Sequence, residues 1–517
     1  MIRTVLKSLM KTTAYPEPTS RVAMIQTHVS WLFLTDNHVY KIKKPVDFGF
    51  LNFTTIDRRR FYCNEEIKYN RRLCPDIYLG VVEVREFGDG AAFHGDGPVI
   101  DYAVKMKRLP AEGMLDGLVL RNQVSIADIQ NIVRTIAEFH KNAATSADIA
   151  AHGTMARIMF NWQENFDQMT PFVDRILPAT ELAVIREWVT NFADEHAAFF
   201  DHRVSTGYIR ECDGDIHLEN ICLVGDKAYI FDCIEFSERL RCCDTAADLA
   251  FLLMDLDFHK RSDLSREALA AYLQTTQDTG MPPLLGFYKV YRAFVRGKVA
   301  SLHLNDVEAD QQEEIAQQAR NYFRLARGYI EQTRLRPTLF ITCGLMGSGK
   351  STIAEQLAFE QGIACFSSDR IRKKLAGLQP DTRVHAAFQE GLYSPQASRA
   401  TYAKLRLLAA DELANGRSVI IDACFTQHDD RNLCRELAQQ HGARFVILHI
   451  HCSEPENRRR LASRSETRRS VSDGRLELLA SQNSAFEIPL DEEGAVIRLV
   501  STTTPAAAVT TIYERLS

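Results

Sequence analysis

The chain has 517 residues, more than one hydrophobic core usually serves, so two or three domains are expected. Its 45% hydrophobic and 25% charged composition excludes wholesale disorder, and no apolar run approaches a membrane span. A formal net charge of −5 supplies no global pull toward nucleic acid, and twelve scattered cysteines, without a C-x-x-C pair or histidines at zinc spacing, fit reduced thiols in a cytosolic protein.

Met1 to Met10 is apolar but interrupted by Arg3 and Lys7; it lacks a secretory core and predicts a short amphipathic helix. Trp31–Leu34 and Val39–Lys43 predict two strands around a polar turn, with Lys41 and Lys43 on one face of the second. Asp57 to Leu73 has helical apolar spacing at Phe61, Ile67 and Leu73, and carries Glu65 and Glu66. Strands follow at Tyr78–Val84 and Ile100–Lys107. A strand lysine, a helix with glutamates and two more strands is the order of a protein-kinase N-lobe. Beyond Pro110 the pattern turns helical, through Ala127–His140 and Leu182–Phe200, which suits a C-lobe.

Asp213-Gly214-Asp215-Ile216-His217-Leu218-Glu219-Asn220 precedes a turn and the strand Ala228–Asp232. An Asp, an Asn five residues on and a second Asp closing the next strand match the spacing of a kinase catalytic loop and its metal site. One carboxylate must accept or orient a substrate hydroxyl, while an amide oxygen and another carboxylate hold Mg²⁺ against ATP phosphates.

On these residues, about 20 to 330 resemble the aminoglycoside phosphotransferase and choline kinase group, whose loop reads H-G-D-[LI]-H-x-x-N. The resemblance implies an α+β, protein-kinase-like bilobal domain over 1–332, with an N-lobe at about 20–109 and a C-lobe at about 110–332. It further implies Asp215 as catalytic base, Asn220 and Asp232 as metal ligands, Lys41 as the phosphate-contacting lysine and Glu66 as its helix partner; Lys43 faces the same way as Lys41. Asp248 would brace the loop, and Met106–Leu109 would face adenine through backbone groups. Asp213 departs from the family's histidine, and two carboxylates two residues apart repel, so one is expected to have a raised pKa or to bind metal.

Tyr288–Leu302 predicts a helix with a basic face, Asp306–Gln318 is polar and acidic, and a helix from Ile315 to Ile330 leads to a domain boundary expected between about Gln332 and Pro337.

Gly344, Leu345, Met346, Gly347, Ser348, Gly349, Lys350 and Ser351 fit G-x-x-x-x-G-K-[ST] at every required position. The apolar run Thr338–Cys343 precedes them and a helical pattern from Thr352 follows. In that setting the glycines let backbone N–H groups curl around phosphate, the helix start adds its positive end, Lys350 neutralises β/γ charge and Ser351 can hold Mg²⁺. Apolar runs at Gly362–Asp369, Ser418–Asp422, Ala443–Ile450 and Ala495–Val500 complete five strands, predicting over 337–517 an α/β P-loop NTPase domain with a parallel sheet covered on both faces. Asp369, at a strand's carboxyl end, is placed to take a proton from an attacking hydroxyl, and Asp422 to organise Mg²⁺ or its waters. Six arginines between Arg458 and Arg469 suggest a lid over the triphosphate, with Arg460 and Arg464 on one helical face as the preferred pair.

This part resembles the polynucleotide kinase, zeta-toxin and adenylylsulfate kinase branch of P-loop kinases, in which a D-x-x-R pair, here Asp369 and Arg372, activates and positions the acceptor hydroxyl. The expectation is a bifunctional enzyme in which each domain transfers the γ-phosphate of ATP, with Mg²⁺, to a hydroxyl of a small molecule or nucleotide-like acceptor. Two alternatives are an ATPase or nucleotide-sensing regulator, and a nucleic-acid end kinase with an N-terminal substrate-binding module. No basic, aromatic-lined channel for nucleic acid is plain in the sequence, and no membrane partner is expected.

Overall fold

The computed structural model describes residues 2–49, 51–305, 307–379, 382, 390–466 and 476–516. It divides into two compact units, Met1–Phe323 and Arg324–Ser517. The division falls inside the helix Ala309–Arg334, which runs past Gln332. The expected helix Ile315–Ile330 extends back into the polar, acidic stretch: Ala316, Ala319, Phe323, Ala326 and Ile330 are buried at helical spacing in one 26-residue helix.

In the first unit, strands β1 (Ala23–Gln26), β2 (Ser30–Leu34), β3 (His38–Lys43), β4 (Tyr78–Phe87), β5 (Gly90–Ala92) and β6 (Val99–Lys107) form one antiparallel sheet ordered β1-β2-β3-β6-β4-β5. Alternation along β3 decides the site. Tyr40 and Ile42 face a core with Phe33, Val84 and Ala103, and the helix Ile2–Leu9 adds Leu9 to it. Lys41 and Lys43 therefore face the other side, where the helix Ile56–Asn70 packs Cys63 and Ile67 against Tyr78, Val104 and Met106. Thr55 caps that helix by accepting from the Arg58 N–H at 3.3 Å. Its inward face differs from the predicted one, since Phe61 is exposed and Glu66 is fully buried.

The rest of this unit is mainly helical. Trp162, wholly buried, sits among Phe166, Phe287, Tyr291 and Phe294 with ring centroids 5.2–6.1 Å away. The helix predicted over Leu182–Phe200 is two helices, Ala179–Glu195 and Ala197–Ser205, meeting at His196. Short antiparallel pairs β7 (Ile209–Glu211) with β10 (Cys242–Asp244), and β8 (Ile221–Val224) with β9 (Lys227–Ile230), bracket the loop carrying Asp215.

In the second unit, β11 (Thr338–Cys343), β12 (Ala364–Ser367), β13 (Val419–Asp422), β14 (Arg444–His451) and β15 (Ala495–Val500) form the expected parallel sheet, ordered β12-β13-β11-β14-β15. Leu339 and Ile341 pack on one face with the helices Pro395–Ala414 and His428–Gln440. Phe340 and Ile420 pack on the other with Lys350–Gln361 and Pro505–Leu516. Both faces are covered, which is why the strand sequences are continuously apolar. Asp369 is a correction: β12 ends at Ser367, opposite Asp422 where β13 also ends, so Asp369 lies in the first turn of the helix Ser368–Leu375 and not on a strand. Among the described residues no helix is long and apolar enough to cross a membrane, and all twelve cysteines are free.

Candidate functional sites

The first site gathers residues from both lobes of the first unit. Glu66 reaches across to β3, where Lys41 Nζ lies 2.9 Å from its Oε1 and Lys43 Nζ 2.6 Å from its Oε2. Both lysines thus share the glutamate. They part at their second partners, Lys41 meeting Asp232 Oδ1 at 2.5 Å and Lys43 meeting Glu235. Burial alone would push the Lys41 ammonium down, but Asp232 and Glu66 hold it well above its ordinary value. Burial likewise favours a neutral Glu66, yet Lys41 and Lys43 draw it down to about 2. Asp232 lies beyond β9 with φ 66°, a left-handed backbone uncommon for a non-glycine residue; Tyr78 Oη accepts its N–H at 3.2 Å, and Asn70 Oδ1 accepts that of Cys233 at 2.9 Å.

The loop from Asp213 to Asn220 is held from beneath by two carboxylates on the helix Thr245–Phe258. Asp248 accepts from the N–H groups of Asp213 (3.1 Å) and Gly214 (2.9 Å) and meets His140 Nε2 at 3.0 Å; Asp255 accepts from the Leu218 N–H at 2.9 Å. Arg292, on the predicted basic helix, is turned inward and donates to the carbonyls of Gly214 (2.9 Å) and Ala247 (3.0 Å). Asn220 Nδ2 donates to the carbonyl (3.1 Å) and Oδ2 (3.2 Å) of Asp215 and lies 3.1 Å from His217 Nε2, which leaves its amide oxygen as the remaining acceptor.

The two neighbouring acids part as their repulsion requires. Burial pushes the Asp213 carboxyl well up, reinforced by Asp248 and Asp215, whereas for Asp215 the opposing pull of His217, 3.5 Å away, outweighs burial and holds it below its ordinary value. Asp213 Oδ1 accepts the Asp215 N–H at 3.1 Å, so it orients the loop. In the Met106–Leu109 segment the N–H groups of Lys107 and Arg108 donate to the carbonyls of Ile77 and Asn37, both at 2.9 Å.

The second site surrounds the glycine loop after β11. Gly344, Gly347 and Gly349 have φ of 142°, 79° and 95°, values that L side chains rarely adopt, and a Cβ on Gly344 would come within 2.2 Å of the Ile450 carbonyl. Ser348 Oγ is buried without a hydrogen-bond partner, and Lys350 Nζ donates to the Leu345 carbonyl at 2.8 Å. Ser351 Oγ donates to Asp422 Oδ2 at 2.6 Å while Thr342 Oγ1 donates to Oδ1 at 3.1 Å. Burial raises the Asp422 pKa despite Ser351 and Lys350. Thr352, in the first turn of the following helix, is exposed.

Asp369 and Arg372 form an ion pair of 3.1 Å, with the Arg372 guanidinium over the Tyr393 ring at 4.6 Å. Arg460 reaches the loop: its guanidinium donates to Ser501 Oγ (2.8 Å) and O (2.7 Å), lies 3.5 Å from the Ser348 carbonyl, and is anchored by Glu456 at 2.7 Å. Arg458 and Arg459 pair with Glu454 and Glu456 on the exposed side of the helix Glu454–Glu466. Arg464 is on that helix, but its side chain lies outside the described residues, as do Arg468 and Arg469 entirely.

Several neighbours escape a reading of motifs. Gln482 Oε1 accepts the Met346 N–H at 2.7 Å across 136 residues, with no sequence signal to announce it. Glu235 has one, since it follows Asp232 at the D-x-x-E spacing on the same loop.

Residues 339–489 match the family described as AAA domain. Uncharacterized proteins of Mycobacterium tuberculosis and Mycobacterium bovis are 29% identical over 429 residues, which is 83% of this chain and 83% of theirs. Among solved structures, a choline/ethanolamine kinase family protein from Mesorhizobium loti (15% identity, 69% of this chain and 99% of that one, TM-score 0.41) and a gluconokinase from Sinorhizobium meliloti (22% identity, 35% and 93%, TM-score 0.26) are similar. The chain joins an α+β unit built on a six-stranded antiparallel sheet to an α/β unit whose five-stranded parallel sheet carries the glycine loop.

Proposed function

We propose that the chain is a bifunctional ATP-dependent phosphotransferase, each domain moving the γ-phosphoryl group of ATP to an alcohol. The observation that carries this reading is that Lys41, Glu66 and Asp232 meet within 2.9 Å in one unit while Asp215 and Asn220 are hydrogen-bonded beside them on one loop, and Lys350, Ser351 and Asp422 surround a glycine loop in the other.

The donor sets fit Mg²⁺, a hard cation that takes oxygen ligands: the Asn220 amide oxygen and the Asp232 carboxylate in the first site, Ser351 Oγ and the Asp422 carboxylate in the second. When bound, Mg·ATP supplies the transferable phosphoryl group and neutralises charge on it. Asp215, kept ionised, accepts the proton of an acceptor hydroxyl; Lys41 carries positive charge at the phosphates, and Glu66 fixes its position. In the second unit the glycine-loop amides and Lys350 hold phosphate, and the orphaned Ser348 Oγ is a further donor for it. Asp369 receives the acceptor proton there, Arg372 positions Asp369, and Arg460 flanks the loop with a cation.

ADP release from wild type, Asp215→Ala, Lys350→Ala and the double variant across pooled alcohols, sugars, nucleosides and RNA ends tests the reading. Each single variant is expected to lose a different subset of acceptors and the double variant all of them. Full acceptor-dependent release by Asp215→Ala would sink the reading of the first site.

A further inference from the structure

A cavity of about 120 Å³ opens beside Asp215 in the first unit. An engineered cavity of roughly 150 Å³ holds a benzene molecule, so this one, slightly smaller, has room for no more than a single ring. Most of its surface is apolar, and Phe251, Phe287, Tyr288 and Tyr291 supply ring walls.

The charges that line it nearly cancel within the protein. Asp244 is committed to Arg203, whose Nη2 and Nε lie 2.6 and 2.5 Å from its two oxygens. Arg239 is paired with Glu164 at 2.8 Å and Arg292 with the two backbone carbonyls. Asp215 is thus the one lining carboxylate without a guanidinium bound to it. An acceptor carrying several ammonium groups would find two guanidinium groups and a single available carboxylate, while a fully hydroxylated sugar would lose water's hydrogen bonds against aromatic walls. His152 also lines the cavity, and its Nδ1 is buried without a hydrogen-bond partner.

We propose that the acceptor of the first site is a neutral alcohol or phenol whose apolar ring fills this cavity, its reacting hydroxyl at Asp215 and a second polar substituent at His152. This rests on the phosphotransferase reading of Asp215. In the step, the acceptor oxygen forms a bond to Pγ as its proton passes to the Asp215 carboxylate, and the bond from Pγ to the β,γ-bridging oxygen breaks, with its electron pair leaving on ADP.

The test uses the full chain carrying Lys350→Ala, so that the second site is silent. ADP release is measured with neutral aryl and cycloalkyl alcohols, with hexoses, and with choline and aminoglycosides, each with and without Asp215→Ala. ATP affinity is measured separately by calorimetry. The expected result is Asp215-dependent release with kcat/KM for a neutral ring alcohol at least tenfold above any cation or hexose. Ala247→Leu, which fills the cavity, is expected to raise acceptor KM at least tenfold with ATP Kd unchanged within twofold. Val295→Ala, which widens it, should move the preference toward bicyclic alcohols. Cations or hexoses turned over as well as ring alcohols would overturn the proposal and leave the phosphotransferase reading standing. ATP binding with no Asp215-dependent release from any acceptor would overturn both.

Discussion

Lys41 Nζ and Asp232 Oδ1 stand 2.5 Å apart, so the lysine assigned to phosphate and the acid assigned to metal hold each other. On the phosphotransferase reading, nucleotide binding parts them while Glu66 keeps Lys41 in place. Lys43, two residues on, makes the same contact with Glu66 but turns its other side to Glu235. Lys41→Met is expected to cut turnover at the first site by at least 10²-fold with a small change in Tm. Lys43→Met should leave Glu66 and Glu235 buried together without their shared cation and cost about 3–5 kcal/mol of stability. Thermal unfolding alongside ADP release separates the two; a catalytic loss confined to Lys43→Met would reverse the assignment.

Asp213 stands one residue from the loop glycine with its carboxyl driven toward the neutral form, first by burial and then by Asp248 and Asp215. Its Oδ1 needs only to accept the Asp215 N–H, which an amide oxygen does equally well. Asp213→Asn is therefore expected to keep kcat within about threefold, as a single retained hydrogen bond allows. A loss of 10²-fold or more would identify Asp213 as an ionised ligand.

Glu360 is buried in the second unit, where it accepts from Gln356 at 2.9 Å and Tyr513 at 3.1 Å. Burial lifts its pKa from 4.5 to about 7, against the opposing pull of Gln356, Arg324 and Tyr513. The folded state then retains a proton that the unfolded chain loses first, so stability falls as pH rises through this window. At about 1.4 kcal/mol per pH unit the loss approaches 3 kcal/mol by neutrality. Denaturant midpoints from pH 4.5 to 7.5 should show that decline, and Glu360→Gln should flatten it.

Gln482 Oε1 accepts the Met346 N–H within the glycine loop. On the reading that this N–H turns to phosphate when ATP binds, a hydrogen bond worth about 1 kcal/mol net is given up, and Gln482→Ala is expected to tighten ATP binding by about fivefold. Ser351→Ala removes the hydroxyl that Asp422 now holds and should weaken Mg²⁺-dependent ATP binding by tenfold or more while leaving nucleotide binding without Mg²⁺ little changed. Calorimetry with and without Mg²⁺ checks both; weaker ATP binding by Gln482→Ala would show that the glutamine supports the loop.

The sequence by itself determined the two-part architecture and the principal chemical groups. Periodicity exposed the parallel sheet, because strands covered on both faces must be apolar throughout, as Val419 to Ile421 are. Fixed spacings exposed Asp215 with Asn220 and Lys350 with Ser351, because each pair lies close together along one stretch of chain. Element boundaries were less legible. Asp369 moved from a strand to a helix because its neighbouring strand ended, and the polar start of Ala309–Arg334 belongs to a helix whose buried face lies at alternating three- and four-residue steps. Only the tertiary structure decided that Lys41 and Lys43 divide Glu66 between them, that Arg292 turns inward to brace Gly214, that Gln482 closes on Met346, and that aromatic rings wall the space beside Asp215. Each of these depends on which side chains converge after distant segments pack, and no local pattern in the chain records that convergence.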